Sequence, residues 1–212
     1  MLGILKLKMW MIVTNANLDF TNAAWGILDF WFGTGEVLGK RRLEWFRKDA
    51  GFDEEIRTRF LGVYETVVQT TAVPFAHWIE QPYAGLALIV LLDQFPRNMF
   101  RQDARAFATD SLARQVTRQM LAQGFDVSMR AVERQFIYLP LEHSESMADQ
   151  TQSIRLFNTL SVFPETRDLH RWAEKHRVII ERFGRFPHRN LALGRESTAE
   201  EIVFLTQPCS GF

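Results

Sequence analysis

Three short stretches of this chain gather the residue types that handle protons and anions. "LLDQFPRNMFR" (Leu91 to Arg101) holds Asp93, Arg97, Asn98 and Arg101. "YLPLEHSES" (Tyr138 to Ser146) holds Glu142 and His143, followed by Ser144 and Glu145. "RFPHRN" (Arg185 to Asn190) holds Arg185, His188, Arg189 and Asn190, with Arg195 shortly after. Planar guanidinium forks suit carboxylates and phosphates, which they grip bidentately. A histidine beside a carboxylate is how a general base is oriented. The expected chemistry is therefore an anion-handling pocket. Arg97, Asn98, Arg101, Arg185, Arg189, Asn190 and Arg195 would bind, and Asp93 would balance the arginines. His143, oriented by Glu142, and His188 would move protons. The adjacency of Glu142, His143 and Ser144 does not make a triad, because a triad is an arrangement in space.

The same residue types have structural uses. Arg near a helix C-terminus is favoured by the helix dipole, and a proline stops a helix at the residue before it. Both "QFPRN" and "RFPHRN" read as corners of that kind, with Phe anchored in the core and Asn98 or Asn190 free to cap the next turn. Ser144 or Ser146 would cap a helix after Pro140. His176, in line with Trp172, Ile180 and Phe183, reads as a core histidine with one satisfied hydrogen bond. His77 and His170 show no special context. The five histidines offer no i, i+4 pair and the single Cys209 offers no cysteine site, so no metal is expected. "FGTGE" lacks the Lys and the strand of a phosphate loop, so no cofactor is expected.

The 212 residues fit one domain, and their 47% apolar and 13% aromatic content supplies a substantial ring-packed core. Twenty-five basic residues against 25 acidic give zero formal charge, which argues against nucleic acid or an anionic membrane as partner. One cysteine excludes an intrachain disulfide and fits a cytoplasmic setting. "MLGILKLKMWMIV" is broken by Lys6 and Lys8 and lacks a cleavage pattern; residues 1–20 read as a poorly ordered or non-native extension. "YAGLALIVLL" is about half the length of a membrane span and reads as a buried helix.

Helical periodicity dominates and nothing alternates as a strand would. A first helix over "AAWGILDFWFG" ends at Gly33. A short helix ends near Gly51, and Asp53 caps "DEEIRTRFLGVYETVV". Pro74 and Pro82 bracket a short piece. Asp103 starts a helix through Met120, Pro140 interrupts the one after it, and Phe163-Pro164 opens the helix that stops at Gly184. Ser197 and Glu200 form a capping box. The fold class is all-α: residues 21–212 as a single compact domain of about ten helices, packed as antiparallel pairs.

The combination "ILDFWFG", "LLDQFPRNMFR", "YLPLEHSE" and "RFGRFPHRNLALGRESTAEEIVFL", in that order, resembles a bacterial family known as domain of unknown function 924. The resemblance runs from about Ile27 to the last residues and implies a tetratricopeptide-like helical fold. It brings no activity, substrate or cofactor. Whether the chain is an enzyme stays open at this point. The first expectation is a small-molecule anion-binding protein or enzyme with an Arg/His/Glu pocket. The alternative is a helical scaffold gripping an acidic peptide or protein partner.

Overall fold

The computed structural model describes residues 22–69, 78–208 and 210–211. The expectations for residues 1–20, Pro74, His77 and Cys209 lie outside the described residues. Helix α1 covers 22–32, and Gly33 closes it at φ 74°, a left-handed value that glycine adopts without strain. Two 3₁₀ turns follow, Gly35–Val37 and Leu43–Phe46. Helix α2 spans Ala50–Gln69 and α3 begins at Pro82–Ile89. Then come α4 (Asp110–Ala122), α5 (Ala131–Glu142), α6 (Met147–Thr159), α7 (His170–Phe183) and α8 (Ala199–Leu205). No strand occurs among the described residues.

The "YAGLALIVLL" segment is the centre of the packing, with Leu86 to Leu92 almost wholly buried. Helix α3 packs on α4 and α5, α4 packs on α5, and α5, α6 and α7 pack in succession. Short links between consecutive helices favour this neighbour-on-neighbour arrangement. Rings fill the core around α1: Trp31 and Phe32 meet Phe136 edge-on, and Phe30 stacks on Phe52 at 5.2 Å. The 3₁₀ turn serves the end of α1. Arg42 donates to the carbonyls of Phe30 and Trp31 at 2.6 and 2.9 Å, and Trp45 Nε1 donates to the latter at 2.8 Å, satisfying acceptors that a helix end leaves open.

Proline does less here than its sequence position suggests. At "QFPRN" the helix does not stop: α3 widens into a π turn over Val90–Gln94 and resumes over Phe95–Met99. Pro96 has no N–H for the carbonyl of Leu92, one helical turn back, and Thr109 Oγ1 donates to that carbonyl instead at 2.6 Å. At Pro140 the helix also continues, to Glu142, because the missing bond falls in the last turn and His143 N still closes on Leu139 O at 2.8 Å. Phe163-Pro164 lies in turns, and α7 begins only at His170. Caps shift as well. Asp49, not Asp53, receives the N–H groups of Gly51 and Phe52, so α2 starts before Gly51. Asp103 caps a 3₁₀ turn, Ala104–Phe107, ahead of α4. The last capping box is Thr198 with Glu201, one residue beyond the expected pair.

Candidate functional site

The end of α3, the start of α4, the link after α5 and the segment after α7 meet at one end of the bundle. Asp93, on the π turn, is fully buried. Its Oδ1 lies 2.9 Å from His143 Nδ1 and 3.3 Å from Arg97 Nη1, and its Oδ2 accepts from Gln94 Nε2 at 2.6 Å. Arg97 donates through Nη1 and Nη2 to Asp110 at 2.9 and 3.1 Å. Arg189 donates to the same carboxylate at 3.1 Å and to the carbonyl of His143 at 3.0 Å. One aspartate at the head of α4 thus ties together two arginines from distant stretches. Phe107 and Phe186 bracket the Arg189 guanidinium, 4.7 and 4.5 Å from ring centres.

The partner of His143 is Asp93, not the adjacent Glu142. Consecutive residues at a helix end point in different directions, so the two side chains diverge. Glu142 turns into the bundle, where its Oε1 lies 3.1 Å from His176 Nδ1, and that nitrogen also faces Trp172 O at 2.9 Å. His176 is buried and hydrogen-bonded to backbone, as expected of a core histidine. His188 is half-buried, its ring 5.6 Å from that of Phe186.

The electrostatics follow from this geometry. Burial alone would raise the Asp93 carboxyl, but Arg97 and His143 beside it hold it well below the usual carboxylate range. Burial, and then Arg97, lower the His143 imidazole against the opposing pull of Asp93, so it is a neutral base at pH 7. With Asp93 accepting at Nδ1, the proton sits there and the lone pair lies on Nε2, which makes no hydrogen bond among the described residues. Burial, helped by Asp93, pushes Glu142 up to about 8. Burial lowers His176 well below the ordinary value, and burial with Arg189 brings His188 down to about 3. Burial and Arg97 bring Arg189 to about 10, still charged at pH 7.

The other candidate residues go elsewhere. Arg185 forks onto Glu201 at 2.6 and 2.8 Å, and Glu201 is pulled down to about 2 chiefly by that bond. Arg195 forks onto Glu145 at 2.8 and 3.1 Å and also donates to Asn190 Oδ1 and Phe186 O. Asn190 donates to Ser197 at 3.0 Å rather than capping a turn. Arg101 forks onto Asp53, and Asn98 donates to the same carboxylate at 2.7 Å. Asp110 is the site residue that sequence reasoning missed. It read as an ordinary residue within a longer helix, and only its position two turns after a capping Asp103 hinted at a second start. No group of three or more metal-ligating side chains forms among the described residues.

Comparison with known proteins identifies the family. Residues 27–209 match the family DUF924, described as a bacterial protein of unknown function. The chain belongs to that family. It is similar to the solved structure of a protein of unknown function from Agrobacterium tumefaciens, with 39% identity and a TM-score of 0.75, covering 87% of this chain and 97% of that one. A search of curated proteins finds no match. Neither the family nor the similar structure carries an assigned reaction. No helix among the described residues is long and apolar enough to cross a membrane.

Proposed function

We propose that this member of the family is an enzyme or binding protein for a small anionic molecule, in which His143 acts as a general base. The observation that carries the reading is the Asp93–His143 contact of 2.9 Å. A buried, ionised carboxylate fixes the tautomer and leaves Nε2 to accept a proton from a substrate or from water. The imidazolium that forms is stabilised by the same carboxylate. Arg189 adds an unused donor: its Nε is buried and has no hydrogen-bond partner among the described residues, while its Nη2 holds the His143 carbonyl. Two guanidinium groups this close to the imidazole favour an anion over a neutral or cationic ligand.

The acidic-peptide reading asks for arginines on an open face. Arg185 and Arg195 are instead forked onto carboxylates of the chain itself, Glu201 and Glu145, which supports the small-molecule reading more. The test is an activity screen of small carboxylate and phosphate esters with the native protein, His143→Gln and Asp93→Asn, alongside a proton–nitrogen NMR titration of His143. Native activity lost in His143→Gln, with an imidazole titrating below its ordinary value, is the expected result. A His143→Gln protein that keeps every activity found, or an imidazole titrating above the ordinary value, overturns it.

A further inference from the structure

A second cluster of guanidinium groups lies apart from His143. A cavity of about 280 Å³ is lined by Asp53, Glu54, Arg57, Asn98, Arg101 and Arg105, with Ala50, Met99, Phe100 and Asp103 completing its wall. Neither His143 nor Arg97 nor Arg189 belongs to it. Arg101 and Arg105 are each held from one side, and Arg57 Nε lies 3.6 Å from Glu54 Oε2. Arg57 Nη2 donates to Met99 O, Arg101 forks onto Asp53 through Nε and Nη2, and Arg105 donates to Asp103 through Nε and Nη2 at 3.2 and 3.0 Å. Nη1 of Arg101 and Nη1 of Arg105 make no hydrogen bond among the described residues. Phe100 is the platform under two of them, with Arg105 4.4 Å and Arg57 5.8 Å from its ring centre. The backbone between Arg101 and Asp103 is fixed as well. Gln102 sits at φ 65°, in the left-handed region that a non-glycine residue rarely occupies, and Asp103 Oδ1 caps the N–H of Arg105 at 2.8 Å.

We propose that this cavity is a binding site for a small monocarboxylate, gripped by the free edges of Arg57, Arg101 and Arg105. A planar carboxylate matches a planar guanidinium edge. The three acids in the wall neutralise the three arginines, so a single negative charge is accommodated where a phosphate dianion would meet Asp53, Glu54 and Asp103 at close range. The volume suits a molecule of a few carbon atoms.

Sodium propionate is the probe, titrated against the full chain by amide NMR at constant ionic strength with sodium chloride as the control. Saturable shifts confined to the amides of residues 98–105 and the first turn of α2 are expected. Arg57→Gln and Arg105→Gln should each weaken binding at least tenfold while melting like the native protein, because both side chains are solvated. His143→Gln should bind propionate as the native chain does, which separates this site from the proposed base. No saturation beyond the chloride control, unchanged affinity in both arginine variants, or tighter binding of inorganic phosphate overturns the assignment. So does a loss of binding in His143→Gln with the arginine variants unaffected, since the ligand would then lie at the histidine.

Discussion

The guanidinium cluster around His143 and the one around Arg101 differ in how much water reaches them. Around His143 the charged groups are almost dry: the Asp93 side chain is wholly buried, and those of Arg189 and Asp110 are 8% and 10% exposed. Around Arg101 they are wet, with the side chains of Arg105 63% and Arg57 42% exposed. Both clusters pair every arginine with a carboxylate, yet the pairings mean different things. In the dry cluster a lost partner strands a charge in low dielectric, and pKa values move far from their ordinary positions. In the wet cluster water replaces a lost partner, pairs contribute little, and guanidinium edges stay open to a ligand. Burial, not residue type, decides which cluster perturbs protons and which one is free to exchange partners.

The largest expected break between them comes from Asp110→Ala. It leaves Arg97 and Arg189 facing each other without the carboxylate they share, and should cost about 3–5 kcal/mol in urea unfolding. Asp103→Ala, the corresponding cut in the wet cluster, removes an exposed partner and one backbone cap, and should cost no more than about 1 kcal/mol. Equal losses would mean the two clusters are solvated alike.

The next effect is in pH. Glu142 has a folded pKa near 8, above its unfolded value. The folded state therefore holds a proton that the unfolded state has released, and this group's contribution to stability declines as pH rises from the ordinary carboxyl range towards 8. Glu142→Gln keeps the neutral shape and should flatten that decline, so the variant gains melting temperature relative to the native chain at pH 8.5 and gains little at pH 5. His188 acts on the acid side. Its folded pKa of about 3 lies below the unfolded value, so its contribution is lost as pH falls from about 6.5 towards 3. Melting curves at pH 4, 5, 7 and 8.5 check both limbs, and a Glu142→Gln profile parallel to the native one at alkaline pH sinks the first.

Much of this was legible in the chain. The all-helical class, the buried "YAGLALIVLL" helix, the Gly33 and Gly184 stops and the two arginine-bearing corners follow from apolar spacing and turn residues. Asp93, Arg97, His143 and Arg189 stood out as ionisable groups next to core stretches, and they do meet. The partner assignments were not legible. Glu142 stands beside His143 in sequence and serves His176 in space, because the direction of a side chain at a helix end depends on a rotation of about 100° per residue. The two Phe-Pro corners look alike, yet one runs through a π turn and the other follows a true helix end. What separates them is Thr109, seventeen positions from Leu92, supplying the hydrogen bond the proline cannot.

That bond sets the third prediction. Thr109→Val keeps the shape and removes the hydroxyl, leaving the Leu92 carbonyl buried without the donor at 2.6 Å. The expected loss is about 1–3 kcal/mol, since an unsatisfied buried acceptor costs its full desolvation. Asp93, one residue on, would then be less firmly placed, and the His143 imidazole should titrate over a broadened range.

The smallest effect belongs to the wet cluster and has the opposite sign. Gln102 holds a left-handed backbone at φ 65° with an exposed side chain. Glycine adopts that conformation without steric cost, while its greater freedom in the unfolded chain works against the gain. Gln102→Gly should therefore raise stability by no more than about 1 kcal/mol. If the strain serves to hold Arg101 and Arg105 towards one ligand, the same change loosens their spacing. Propionate affinity should then fall while the melting temperature rises. Stability and affinity moving together would show instead that the left-handed turn is only a way for the chain to pass from α3 to α4.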